Sequence, residues 1–317
     1  MIVAITGGTG FIGRKLVLHH IGQGDTVRVL SRRAQNEAGL PDSVSWYHGD
    51  LSMSAELLPF VENADVLYHC AGEIRDEAHM KALHVEGTSR LVSAATNRIG
   101  RWVQLSSVGV YGRLRGGIVT EQSPIQPIGR YELTKKLSDD LVEIAGRNVA
   151  FEWTMLRPSI VFGEDMPNQS LFQLISAIDH RHFFFIGKQG ASANYIHVDN
   201  VIHALSICAL LPQASGKVFN LSDYATLESF VGMIANGVNG NVPPIRVPEF
   251  VARFVSKIGS VFMNRFPLTE SRVDALTTRV IYPISRIQEE LGYRHKISME
   301  AGVLRTVHAW QTTASNR

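Results

Sequence analysis

The sequence predicts an α/β protein, a doubly wound parallel sheet with a smaller C-terminal lobe. Short β-branched runs recur at Ile2 to Thr6, Thr26 to Ser31, Val44 to His48, Val66 to Cys70 and Trp102 to Ser106. Helix-length segments such as Phe11 to Ile21 and Lys81 to Asn97 separate several of them, the alternation that builds right-handed βαβ units. A further strand over Ala150 to Leu156 should stop at Arg157-Pro158, because proline denies the ladder a donor. After Ser159 the chain turns aromatic and loop-rich, with Phe183-Phe184-Phe185, Tyr195-Ile196-His197-Val198-Asp199 and Pro243-Pro244. The division therefore falls as residues 1–158 for the sheet domain and 159–317 mainly for the lobe, with some segments returning to the sheet.

A chain of 317 residues, 45% hydrophobic and 19% charged, is long enough to bury a large core. Its 31 Lys+Arg against 29 Asp+Glu leave a formal charge of +2, which excludes the strongly basic surface that nucleic acid requires. Two cysteines, Cys70 and Cys208, supply neither a disulfide framework nor a cysteine-rich metal site, so no metal is expected. No apolar run approaches the roughly 20 residues of a membrane span. The start, Met1-Ile2-Val3-Ala4-Ile5-Thr6, lacks the regions of a signal peptide, and a cytoplasmic location is expected. Phe250 to Met263 reads as an amphipathic helix, with Phe250, Val251, Phe254, Val255, Ile258, Val261 and Phe262 near one face. That face should pack on the lobe or close over a ligand, and a membrane-surface helix is the alternative that its few basic residues disfavour.

Thr6-Gly7-Gly8-Thr9-Gly10-Phe11-Ile12-Gly13 joins the first strand to the first helix. The spacing of Gly7, Gly10 and Gly13 suits a tight turn, an approach to a pyrophosphate free of Cβ atoms, and close helix–strand packing, as in a Rossmann dinucleotide site. Phe11 and Ile12 open the helix whose free amides and positive dipole end would face the phosphates. An NAD-preferring site places Asp or Glu at the end of the second strand, whereas this chain reads Ser31-Arg32-Arg33. An arginine fork matches a 2′-phosphate, so NADP is the expected cofactor and NAD the second choice. Asp50 and Leu51 should flank the adenine, and Cys70, Ala71 and Gly72 should pass close to the cofactor.

Tyr131-Glu132-Leu133-Thr134-Lys135 opens a helical pattern, placing the phenol and the ammonium at i and i+4 on one face. A phenol titrating near 10 is a poor base at neutral pH, and a nearby ammonium would favour its ionised form. Lys135 can also hold the nicotinamide ribose. Ser106-Ser107-Val108-Gly109-Val110-Tyr111-Gly112 ends the fifth strand at the edge where doubly wound sheets bind ligands. There Ser107 can bind a reacting oxygen.

With these motifs, Leu156-Arg157-Pro158, Tyr195 to Asp199 and Glu290-Leu291-Gly292-Tyr293, the chain resembles the extended short-chain dehydrogenases/reductases over nearly its whole length. The nearest branch holds nucleotide-sugar epimerases, dehydratases and ketoreductases. The resemblance implies Tyr131 as general acid/base, Lys135 as its electrostatic partner, Ser107 on the substrate oxygen, Pro158 and Ser159 by the nicotinamide, and a homodimer through a helical bundle.

Three positions depart from that pattern. His84 stands where the family often has an asparagine before Val-x-Gly-Thr, so the usual water-organising role is not carried over. Val108-Gly109 replaces the Asp-Glu pair of sugar dehydratases and disfavours dehydration. Ala193 replaces a diphosphate-binding arginine, for which Arg181, Lys188 and Arg272 are the candidate substitutes. The expected reaction is hydride transfer at C4 of a nucleotide-activated sugar, with a 4-ketoreductase favoured over a 4-epimerase. The alternative is a 3β-hydroxysteroid or dihydroflavonol-type enzyme whose apolar pocket uses Phe183 to Phe185. A non-catalytic cofactor-binding sensor or assembly subunit is a third reading, and the intact Ser107, Tyr131 and Lys135 weigh against it.

Overall fold

Seven parallel strands form one sheet in the computed structural model, which describes residues 1–52, 54–262 and 268–315. They are β1 (Ile2–Thr6), β2 (Thr26–Ser31), β3 (Ser45–His48), β4 (Ala64–His69), β5 (Ile99–Leu105), β6 (Glu152–Pro158) and β7 (Lys217–Leu221), in the spatial order β7-β6-β5-β4-β1-β2-β3. The order reverses between β1 and β4, whose registers pair Val3 with Val66 and Thr6 with His69. That reversal opens a crevice at the carboxyl ends of the two strands. The strands read as continuous apolar runs because helices cover both faces: Val3, Ala4 and Ile5 are all fully buried.

Glycines set how closely β1, its helix (Phe11–Gly22) and the end of β4 approach. Gly7 has φ +69°, and a Cβ there would lie 2.7 Å from the Ala71 amide nitrogen and 2.8 Å from the Cys70 carbonyl. A Cβ on Gly13 would lie 2.1 Å from the Gly7 carbonyl oxygen, so the helix packs directly on the strand end.

Two sequence expectations change here. β6 runs through Arg157 and Pro158 instead of stopping before them, because β7 pairs with it to the last rung, Leu221 with Pro158, and the Leu221 carbonyl accepts from the Ser159 amide at 2.8 Å. β7 itself, far along the chain, had no strand assigned in sequence. Arg101 on β5 ties the adjoining helix Val198–Leu210 to the sheet by donating to the carbonyls of Cys208, Ala209 and Leu211 at 3.2, 3.0 and 2.6 Å. These are carbonyls at the helix's C-terminal end, where the chain supplies no acceptors' partners of its own.

Ile160–Phe162, Ser192–His197 and Asp223–Thr226 form a small mixed sheet beside the carboxyl edge of the main one. Phe162, Ile175, Phe230, Ile234 and Val303 belong to the separate core beneath it. Phe183 and Phe185 join that core, with rings 5.2 Å apart at 90°. The expected amphipathic helix spans Glu249–Phe262, and Met263 lies outside the described residues. Its inward face is built from small residues, Ala252 and Ser256, each 1% exposed, whereas Phe250 and Phe254 are 76% and 65% exposed. Phe250, Phe254, Val255 and Ile258 therefore point outward, opposite to the sequence expectation, and the side chains of Val261 and Phe262 lie outside the described ones. No described helix is long and apolar enough to cross a membrane.

Gly13→Ala should lower stability by roughly 3 kcal/mol, at the upper end of typical overpacking costs, since the added methyl meets rigid backbone. Urea unfolding monitored by circular dichroism checks this, with Gly22→Ala, where a Cβ meets nothing within 4 Å, as the neutral comparison.

Candidate active site

At the crevice the Phe11–Gly22 helix begins on Gly10, which provides no side-chain cap. The first amides of the helix thus lack a side-chain acceptor and present positive charge density to the crevice. A Cβ on Gly10 would approach only the Gly7 carbonyl, at 3.2 Å, and one on Gly72 only His84 Nε2, at 3.5 Å. These two glycines keep open the floor that Gly7 and Gly13 create, and the whole cradle fits a dinucleotide pyrophosphate.

Around this floor the expected cofactor residues separate into two groups. Ser31 is buried and its Oγ accepts from the Arg33 amide at 3.1 Å, while Arg32 and Arg33 are exposed and make no hydrogen bond or ion pair through their side chains among the described residues. Asp50 accepts from the Ser52 amide at 2.7 Å and from the Ser52 hydroxyl, bonds that together with Arg32 hold its carboxyl below the usual range. Leu51, expected at the adenine, is buried, and its Cβ lies where a methyl on Gly87 would come within 2.8 Å. Its side chain is core. Cys70 directly follows β4, and burial pushes its thiol up to about 12, which keeps it neutral.

The helix Arg130–Arg147 carries Tyr131 and Lys135 to the ends of β4 and β5. Lys135 is buried and donates from Nζ to the Leu105 carbonyl at 2.6 Å. Ser107, in extended conformation after β5, accepts from the Gly109 amide at 3.0 Å, and its hydroxyl favours ionisation of the Tyr131 phenol. Burial, then Asp139 and Glu132, push that phenol up to about 12, and Ser107 opposes them.

Sequence reasoning passed over Asp139, one turn beyond Lys135. It accepts from the Ser106 hydroxyl at 2.5 Å and lies 3.6 Å from the Arg157 guanidinium, all within the protein interior. Burial raises its pKa against the pull of Arg157 and Lys135, and Asp139 in turn opposes the loss of the Lys135 proton. The i, i+4, i+8 spacing on one helix was the available signal. His84, 1% exposed, sits in a π-helical turn, Ala82–Gly87, between the Glu77–Lys81 and Thr88–Ala95 helices. Its ring packs edge-on to Tyr131 with centroids 5.7 Å apart.

Next to Val108 and Ser159 a cavity of about 660 Å³ separates the sheet edge from the lobe. Apolar walls come from Val108, Ile160, Leu174, Tyr195, Leu227 and Tyr282. Ala193, 3% exposed, lines it too. None of Arg181, Lys188 and Arg272 is among its lining residues, and neither is any of Phe183, Phe184 and Phe185, so those expectations fail on position. Arg113, Arg115 and Arg279 line it instead. Arg115 is within 3.4 Å of Asp274, and Arg279 donates to the carbonyls of Thr277, Lys188 and Gln189. Arg113 alone of the three has no side-chain partner among the described residues.

The model of the NAD dependent epimerase/dehydratase family matches residues 3–222, and the chain belongs to that family of enzymes. A ketoreductase of Stigmatella aurantiaca acting on 4-hydroxy-2-methyl-3-oxo-4-farnesyl-3,4-dihydroquinoline-1-oxide is 27% identical, over 94% of this chain and 93% of its own length. The human decarboxylating sterol-4-alpha-carboxylate 3-dehydrogenase is 25% identical over 97% and 87%. Among solved structures, the UDP-glucose 4-epimerase of Thermotoga maritima with UDP-glucose superposes with a TM-score of 0.77 at 18% identity, covering 99% of this chain and all of that one. It shares the fold.

Burial also depresses the pKa of His84 to about 4, with Lys135 adding to the shift. Between about 4 and the unfolded value of 6.5 the unfolded chain holds the extra proton, so stability is full above 6.5 and falls as pH drops toward 4. Urea midpoints measured from pH 7 to 4 should decline, and His84→Gln should flatten the decline.

Proposed function

We propose that the chain is an NADPH-dependent ketoreductase or dehydrogenase acting on a bulky, uncharged ring ketone or alcohol. Bound in the crevice, the cofactor would supply or accept the hydride. Tyr131 would give its proton to the carbonyl oxygen as the alcohol forms, and take it back in reverse. Ser107, its acceptor side occupied by Gly109, has a hydroxyl proton to share with that oxygen. Lys135 would hold the nicotinamide ribose, with Asp139 keeping it charged. Gly7, Gly10, Phe11, Ile12 and Gly13 would bind the pyrophosphate, and Pro158 and Ser159 would border the nicotinamide.

The observation that carries the substrate class is the pairing of charge around the cavity. Glu249 and Asp274 line the wall, and Arg115, Arg253 and Arg279 are engaged by them or by backbone carbonyls. A diphosphate would meet two carboxylates and displace existing bonds, whereas an apolar ring would cover Ile160, 51% exposed. The relative named as a ketoreductase of a farnesylated dihydroquinoline oxide supports this reading, and the sterol-4-alpha-carboxylate 3-dehydrogenase supports its bulky ring but not its lack of charge. A nucleotide-sugar 4-ketoreductase is the second reading, favoured by one observation, the unpaired Arg113 on the cavity wall.

Thermal melts with NADPH present should rise with steroid or decalone ketones and stay unchanged with UDP-glucose, UDP or dTDP. A rise with the nucleotides that Arg113→Ala removes would favour the second reading. In the ketone assay Tyr131→Phe should lower kcat by about 10²-fold or more with NADPH affinity within about twofold. Retained turnover contradicts the assignment.

Arg32 and Arg33, exposed and unpaired at the end of β2, support a site for the 2′-phosphate. NADPH should bind about tenfold more tightly than NADH, and Arg32→Ala with Arg33→Ala should erase the difference. Fluorescence titration of both cofactors checks this.

A further inference from the structure

His84 is bonded on both sides by groups whose directions are fixed. The Glu73 amide donates to Nε2 at 2.8 Å, so Nε2 carries no proton. Nδ1 must therefore hold it, and donates to Thr134 Oγ1 at 2.8 Å. Thr134 passes its own hydroxyl proton to the Arg130 carbonyl at 2.9 Å, a group that cannot hand a proton on. The chain of donors thus ends in the backbone of the catalytic helix and never reaches the Tyr131 oxygen. A relay is excluded by connectivity, but a mechanical link is not. One imidazole joins the loop leaving β4, the π-helical turn and the first turn of the helix bearing Tyr131, and it fills the space against the Tyr131 ring.

We propose that His84 is a positioning residue: as a neutral Nδ1–H imidazole it clamps the Ala71–Glu73 loop to Thr134, fixing both the cofactor-facing backbone and the orientation of Tyr131. The extra residue per turn of the π-helix is what brings the ring to this spot. Glu73 reinforces the clamp, since its own carboxylate accepts from the amides of Arg75 and Asp76 at 2.7 and 3.1 Å and so closes the loop on itself. A Cβ on Gly72 would lie 3.5 Å from Nε2, so the loop passes the ring at ordinary contact distance.

The test needs no substrate, so it stands apart from the ketone reading. It does rest on the cofactor site, and absence of NADPH and NADH binding in the wild type would refute that site separately. Side-chain 15N spectra, with His84 assigned through His84→Gln, should show the Nδ1–H tautomer before and after NADPH is added. Glutamine can accept from Glu73 and donate to Thr134, so His84→Gln should keep NADPH affinity within about twofold and leave the 13C-labelled Tyr131 resonance in place. His84→Ala should weaken NADPH about tenfold and shift that resonance, as expected when a pre-formed geometry is loosened. Thr134→Val breaks the same link without emptying the core, and should move the Tyr131 resonance in the same direction even if His84→Ala does not fold. An Nε2–H tautomer, an unmoved Tyr131 resonance in Thr134→Val, or His84→Gln as damaging as His84→Ala would each overturn the proposal.

Discussion

The contact on which the site depends is the backbone-to-backbone approach of Gly13 to Gly7 and of Gly7 to Ala71. Within one small volume it joins β1, the first helix and the end of β4 at distances no side chain allows. Because the strand order reverses between β1 and β4, this same packing makes the crevice. The helix's free amides face outward from it, and every residue proposed for chemistry is placed by a strand or helix that borders it.

Beneath the crevice the polar groups are neutral, paired or both. Thr6 bonds His69, His69 bonds Thr88, Thr88 bonds Ser138, and Gln104 donates to Ser138, with distances of 2.7 to 3.0 Å. Burial, followed by Lys135 and His84, keeps His69 uncharged. The buried charges cluster instead at Lys135, Asp139 and Arg157, directly behind Tyr131 and Ser106. Low dielectric makes an unpaired charge there costly, and that cost holds the catalytic helix in one position against the sheet. The high pKa of Tyr131 in the protein alone follows from the same enclosure, and the cation of an oxidised nicotinamide is the added charge that would lower it.

The main sheet was legible in sequence because most of its first six strands are largely buried apolar runs separated by helix-length segments. β7 escaped notice because Lys217–Leu221 joins β6 across the 58 residues between them (159–216), a pairing that local periodicity does not report. Tyr131 and Lys135 declared themselves by spacing, as did the glycines. Leu51 packs in the core beside Gly87, a direction that a loop position after a strand does not report. The outward stripe of the Glu249–Phe262 helix misled for a related reason: amphipathicity fixes two faces but not which of them meets the lobe, and here the small residues Ala252 and Ser256 allow the closer approach. Asp139 carried only its spacing from Tyr131 and Lys135 as a signal, and Arg113 is defined only by what surrounds it in three dimensions.

The most direct measurement of the central claim is a crystal structure of the protein with NADPH. It should place the pyrophosphate on the amides that follow Gly10 and the nicotinamide between Tyr131 and the cavity bordered by Ser159 and Ile160. A dinucleotide bound away from the β1–β4 crevice, or a nicotinamide turned out of reach of Tyr131, would contradict the account.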